Sequence, residues 1–120
     1  MTSHNVRIKR VYDAPSPDDG LRILVTRFWP RGVPKGAKDE YIVKLAPSRD
    51  LLREFKHEGL QWEQYVPRYL SEMRSQEAQS EIKRLANLAE QRTITLMCVC
   101  EDENHCHRSL LRKLIIEQDA

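Results

Sequence analysis

The chain has 120 residues, 20 Lys+Arg against 18 Asp+Glu, and a formal net charge of +2 at pH 7. That length suits a single domain over 1–120 with a modest core, and the small charge disfavours a long polyanion, because nucleic-acid binding usually shows as a strong basic excess. No apolar run approaches the roughly 20 residues that span a bilayer, and the start lacks a signal-peptide apolar segment, so a cytoplasmic protein with no membrane partner is expected.

Val6 to Tyr12 alternates, with Val6, Ile8 and Arg10 on one side and Arg7, Lys9 and Val11 on the other. This suits a strand near a sheet edge. The turn-rich segment Asp13 to Gly20 follows, punctuated by Pro15 and Pro17. Arg22 to Phe28 reads as a second strand, apolar on both faces at Ile23, Leu24 and Val25, and Pro30 and Pro34 end it. Ser48 is placed to N-cap a helix through Leu51, Leu52 and Phe55 that closes near Gly59. Trp62, Tyr65, Val66, Tyr69, Leu70 and Met73 make a helical stripe in which Pro67 predicts a kink or a restart. A further stripe is Ala78, Ile82, Leu85, Ala86 and Ala89. These aromatic and aliphatic stripes read as core.

Thr93 to Cys100 is an interior strand, with Ile94, Leu96, Cys98 and Cys100 on one face and Met97 and Val99 on the other. A last helix, starting near His105, carries Leu110, Leu111, Leu114 and Ile115 on its buried side. The expected fold is α/β: a small, mostly parallel sheet covered by helices, with a βαβ crossover and a C-terminal helix after the last strand. The direction of the first strand stays open.

Ligands in open parallel sheets bind beyond the carboxyl ends of the strands. There the second strand delivers Arg27, Trp29 and Arg31, and the last strand delivers Cys100 and then Cys106, His107 and Arg108. Arg27, Arg31 and Arg108 are expected to converge with the helix start on an anionic small molecule or nucleotide. The same field would activate Cys106 as a thiolate, with His107 as its partner. Asp13 would orient Arg27 or Arg31 if the first strand runs parallel to the others; as an Asp before Ala-Pro it also reads as a turn former. Glu101 and Asp102 are placed to cap the last helix or to hold His105 and His107 in one tautomer. His57 is read as a helix-end residue that favours the dipole, and His4 as part of a loose terminus. Cys98 reads as a small core residue.

Two alternatives remain. One is a non-catalytic binding module for nucleic acid or acidic partners, with Trp29 stacking on a base; nucleic acid is not favoured. The other is a small Cys/His metal site. The full set Cys98, Cys100, Cys106 and His107 is disfavoured, because same-face strand neighbours stand about 6.5–7 Å apart. The same spacing argues against a Cys98–Cys100 bridge, and a Cys100–Cys106 redox pair accompanies the thiolate reading. No metal ligand set is assigned, and the cofactor is unknown.

The segment Arg22 to Gly32, with its Trp-Pro-Arg-Gly element, Leu45-Ala46-Pro47-Ser48 and Cys106-His107-Arg108 resemble the YeaO-like proteins, small prokaryotic domains of unknown function. Tyr12-Asp13-Ala14-Pro15 and Asp19-Gly20 fit the same pattern. The resemblance implies an α/β fold and no established reaction. It also implies that Thr26 stands where many relatives carry aspartate, and that some relatives lack the cysteines, which moves weight onto Arg27, Trp29, Arg31 and Arg108.

Overall fold

The computed structural model describes residues 5–100, 102 and 105–118, so the expectations placed on His4 and Glu101 lie outside the described residues. Among those described, the strands are β1 (Val6–Arg10), β2 (Leu21–Leu24), β3 (Glu40–Tyr41) and β4 (Ile94–Cys98). They form one sheet in the order β1-β4-β2-β3, and every neighbouring pair is parallel. The direction of the first strand is thereby fixed: Val6 pairs with Ile94 and Arg10 with Cys98. β4 lies between two partners, and all five of its residues are buried. This is what its apolar run on both faces required.

The period-2 alternation divides the core. Val6, Ile23, Val25, Ile94 and Leu96 join one large cluster with side chains of α1 (Arg49–His57), α2 (Trp62–Glu72), α3 (Gln76–Gln91) and α4 (His107–Glu117). Leu24 and Met97 belong to a smaller cluster with Val11 and Val33, flanked by Ala37 and Tyr41. That second cluster is closed by loop and single-turn segments rather than by helices. The crossover from β2 to β4 carries β3 and three helices, whereas β1 reaches β2 through residues 11–20 alone.

Element ends correct several expectations. Val25 still pairs, its N–H donating to the Met97 carbonyl (3.0 Å), but Thr26 Oγ1 donates to the Phe28 carbonyl (2.8 Å) and turns the chain away from the sheet. The strand read as Arg22–Phe28 is therefore shorter. α2 runs through Pro67 as one helix with no restart. Pro67 leaves the Glu63 carbonyl without its intrahelical donor, and both residues are exposed. Ser48 caps α1 as read, its Oγ accepting from Leu51 N–H at 3.2 Å, and it also donates through N–H and Oγ to the Glu72 carboxylate. α4 starts at His107, with Cys106 in the N-cap position.

The β1–β2 connection is held by a buried polar knot. Asp19 accepts from Lys9 Nζ and from Ser16 N–H (2.9 Å), and its backbone carbonyl accepts from Thr95 Oγ1 (2.7 Å). Burial opposes its charge, but the Lys9 and Ser16 hydrogen bonds outweigh burial and hold its carboxyl below the ordinary range. Next to it, Gly20 adopts φ +62°, and a Cβ there would meet the Thr93 carbonyl oxygen at 2.1 Å.

Gly20→Ala is expected to destabilise the fold by about 3 kcal/mol or more, since backbone on both sides has to shift; an unchanged urea midpoint would refute this. The Asp19 knot adds an acid limb. Its folded pKa lies below the unfolded value of about 3.9, so its contribution is complete above that pH and fades as pH falls through the folded value. Urea midpoints taken between about pH 5 and pH 2 should fall more steeply for the native chain than for Asp19→Asn.

Candidate functional site

β4 leaves the sheet at Cys98, and the chain bends at Val99 instead of continuing extended. The bend swings Cys100 back, so its sulfur lies 3.6 Å from that of Cys98. Cys106, at the start of α4, places its sulfur 3.4 Å from Cys98. The three sulfurs all lie within 4.8 Å of one another. The separation expected from an extended strand is thus corrected: the strand ends at Cys98, two residues short of Cys100. Cys98, read as plain core, is buried but stands at the centre of the cluster.

His107 completes this group. It is buried, and its Nε2 lies 2.5 Å from the Val25 carbonyl. A carbonyl only accepts, so Nε2 carries the proton and the Nδ1 lone pair faces the sulfurs of Cys106 (3.7 Å) and Cys98 (3.9 Å). Burial lowers its pKa, against the opposing pull of the Val25 bond, and the ring is neutral. The sulfurs share ionisation unequally. Hydrogen bonds from Cys100 and then Cys106 pull the Cys98 thiol down, whereas hydrogen bonds with Cys100 and Cys98, together with burial, push Cys106 up. Of the three, Cys98 is the thiol these contacts favour for ionisation, and Cys106, only 1% exposed, is the one they disfavour.

Above the sulfurs lies a cleft of about 250 Å³. Its walls include Thr26, Arg27, Trp29 and Arg31 from the segment after β2, and Leu52, Phe55 and Lys56 from α1. Cys98, Cys100, Cys106 and His107 also line it. Trp29 is pinned by Nε1 donating to the Val33 carbonyl (2.9 Å) and by edge contact with Tyr41. The Tyr12 hydroxyl donates to the Arg31 carbonyl (3.0 Å), tying the end of β1 to the same loop. Arg27 Nε donates to the Pro47 carbonyl (3.0 Å), and Lys56 Nζ sits 3.8 Å from the Cys100 sulfur. Phe28 and Trp29 keep exposed aromatic faces at the rim.

The structure therefore brings together Arg27, Trp29, Arg31, Cys100, Cys106 and His107, but not Arg108 or Asp13. Arg108 is 1% exposed, and its Nη1 donates to the Lys9 carbonyl on β1 at 3.0 Å. Neighbouring helix positions are about 100° apart; with His107 turned toward β2, Arg108 turns toward β1 and away from the cleft. Asp13 closes its own turn, with Oδ2 accepting from Arg10 N–H (3.0 Å). Asp102 pairs with His105 (2.7 Å), and His107 takes its tautomer from Val25 instead. Sequence reasoning missed Lys56 and Phe55. They lie more than 40 positions before the cysteines, and nothing in the periodicity of α1 marks them.

A family model described as "DUF488-N3a: Active DUF488-N3 subclade" matches residues 6–119, and the chain belongs to that family. It is 36% identical over 109 residues to the "Uncharacterized protein YeaO" of Escherichia coli, covering 89% of this chain and 93% of that one. An uncharacterized protein of Mycobacterium bovis is 30% identical over 115 residues, covering 92% of each chain. No solved structure matches.

The placement of Arg108 has a measurable consequence. Arg108→Ala should lower stability by about 2–4 kcal/mol, because it removes a fully buried side chain, leaves a hole and takes the Lys9 carbonyl's donor away. Exposed Arg31→Ala should stay within about 0.5 kcal/mol of the native chain. Equal, small effects in urea unfolding would return Arg108 to the solvent side.

Proposed function

We propose that the cleft binds an anionic small molecule with a flat apolar body, a nucleotide being the best match. The observation that carries this is the pairing of an aromatic-walled cleft with three cations. Arg27, Arg31 and Lys56 line it, and among the described residues none of them forms an ion pair with a carboxylate. Trp29 offers a stacking face, and an arginine fork suits carboxylate or phosphate. The volume fits one small ligand, not a polymer track, which favours this reading over a nucleic-acid or acidic-protein module.

The word "Active" in the family description supports chemistry in the cleft rather than storage. The thiol that a ligand meets is Cys100, half-buried beside the Lys56 ammonium, with Cys106 and His107 beneath it. A floor of three free thiols suits a reducing compartment, and we place the protein in the cytoplasm.

Titration with adenosine monophosphate, followed by Trp29 emission, tests the reading. Saturable binding should weaken about tenfold, or 1.4 kcal/mol, in Arg31→Ala and in Lys56→Ala, and adenosine without its phosphate should bind correspondingly worse. Equal affinity for adenosine and its monophosphate, unchanged in both variants, would refute an anion site.

A further inference from the structure

We propose that Cys98, Cys100, Cys106 and His107 together hold a thiophilic divalent cation, zinc above all, as a closed four-ligand site at the floor of the cleft. The site stands independently of what the cleft binds above it.

Distances carry the argument. Zinc bonds of about 2.3 Å to sulfur and 2.0–2.1 Å to nitrogen, arranged tetrahedrally, set ligand atoms roughly 3.5–3.8 Å apart. The cluster shows 3.4 and 3.6 Å between sulfurs, and 3.7 and 3.9 Å from sulfur to His107 Nδ1. The three sulfurs lie within 4.8 Å of one another and His107 Nδ1 faces two of them, so a shift of Cys100 toward the imidazole closes the set on one ion.

The histidine is prepared in the way metal-binding imidazoles are. Its far nitrogen donates to a backbone carbonyl, which fixes the ring and leaves the near lone pair aimed at the sulfurs. Without a cation, that buried lone pair has, among the described residues, two thiol sulfurs at 3.7 and 3.9 Å as its neighbours, which are weak donors. Sulfur-rich tetrahedral sets with one imidazole select zinc over magnesium or calcium, which take oxygen. Binding would release the thiol protons to solvent, and the ion's two positive charges would balance two of the three thiolates. The third thiolate has Lys56 Nζ nearby.

Packing alone does not explain this arrangement. Ordinary buried cysteines do not need to converge with an imidazole lone pair on one point. Oxidation is the other competitor: a Cys98–Cys106 bond would require the sulfurs to close to about 2.05 Å and an external oxidant to take two electrons and two protons. The geometry shows three mutually adjacent sulfurs with an imidazole lone pair facing two of them, rather than two sulfurs in bonding approach.

The experiment uses the full chain, purified under reducing conditions without chelator. Elemental mass spectrometry should find one zinc per chain. Cobalt(II) added to stripped protein should give intense visible bands with sulfur-to-cobalt charge transfer. Cys100→Ala, half-exposed and tolerant of truncation, should weaken cobalt binding by more than about 100-fold, beyond the 10–100-fold typical of losing a supporting contact, and His107→Gln should move the visible bands. A stripped, reduced chain that gives no charge-transfer band overturns the site. So does unchanged cobalt affinity in Cys100→Ala, and so does a chain isolated two hydrogens lighter with no metal. Adenosine monophosphate titration of the same stripped and loaded samples separates the two proposals: nucleotide binding without any metal uptake sinks only the metal site, and metal uptake without nucleotide binding sinks only the ligand reading.

Discussion

A neutral imidazole buried at the junction of β2, β4 and α4 needs a hydrogen-bond partner for each ring nitrogen, and only one of the two partners here is strong. The Val25 carbonyl, freed because β2 pairs through Val25 N–H and then turns at Thr26, takes the Nε2 proton of His107. That bond fixes how α4 docks on the sheet, since His107, Leu111 and Ile115 share its buried stripe. It also decides which way Nδ1 points, and so where Cys106 and Cys98 meet it. The early end of β2, the start of α4 and the sulfur cluster are one arrangement seen from three sides.

Much of the fold was readable because period and capping are local. The alternation of Ile94 and Leu96 against Met97 sorted the two faces of β4, and Ser48 marked the start of α1 through its own hydroxyl. The direction of β1 was not readable, since residues 11–20 hold only the single 3-10 turn Pro17–Asp19 and so short a connection ordinarily suggests antiparallel neighbours, whereas β1 and β2 are the two parallel neighbours of β4. The parallel pairing depends instead on the Asp19–Lys9 and Asp19–Thr95 contacts across that loop, which only the folded chain brings together.

The site was legible in part for a similar reason. The location at the strand ends followed from sheet topology, and Arg27, Trp29, Arg31, Cys100, Cys106 and His107 all line one cleft. Arg108 did not, because one residue of helix is enough to turn a side chain from β2 to β1, and the helix start was placed two residues early. The Cys98–Cys100 distance was misjudged because an extended strand was assumed where the chain bends at Val99. Lys56 and Phe55 come from a helix whose own periodicity says only that it packs.

Electrostatics then limits what the sulfurs can do. Three thiols this close share a single easy ionisation, because each further thiolate adds a like charge a few ångströms away in a poorly solvated floor. As free thiols they make a weak set of nucleophiles: the one most readily ionised, Cys98, is buried, and the one most exposed, Cys100, loses protons less readily for standing beside it. A divalent cation would remove that conflict by making all three charges favourable at once. Arg27 and Arg31 at the mouth of the cleft would remain free to meet an anion, so the floor and the rim divide the work between holding the fold and holding the ligand.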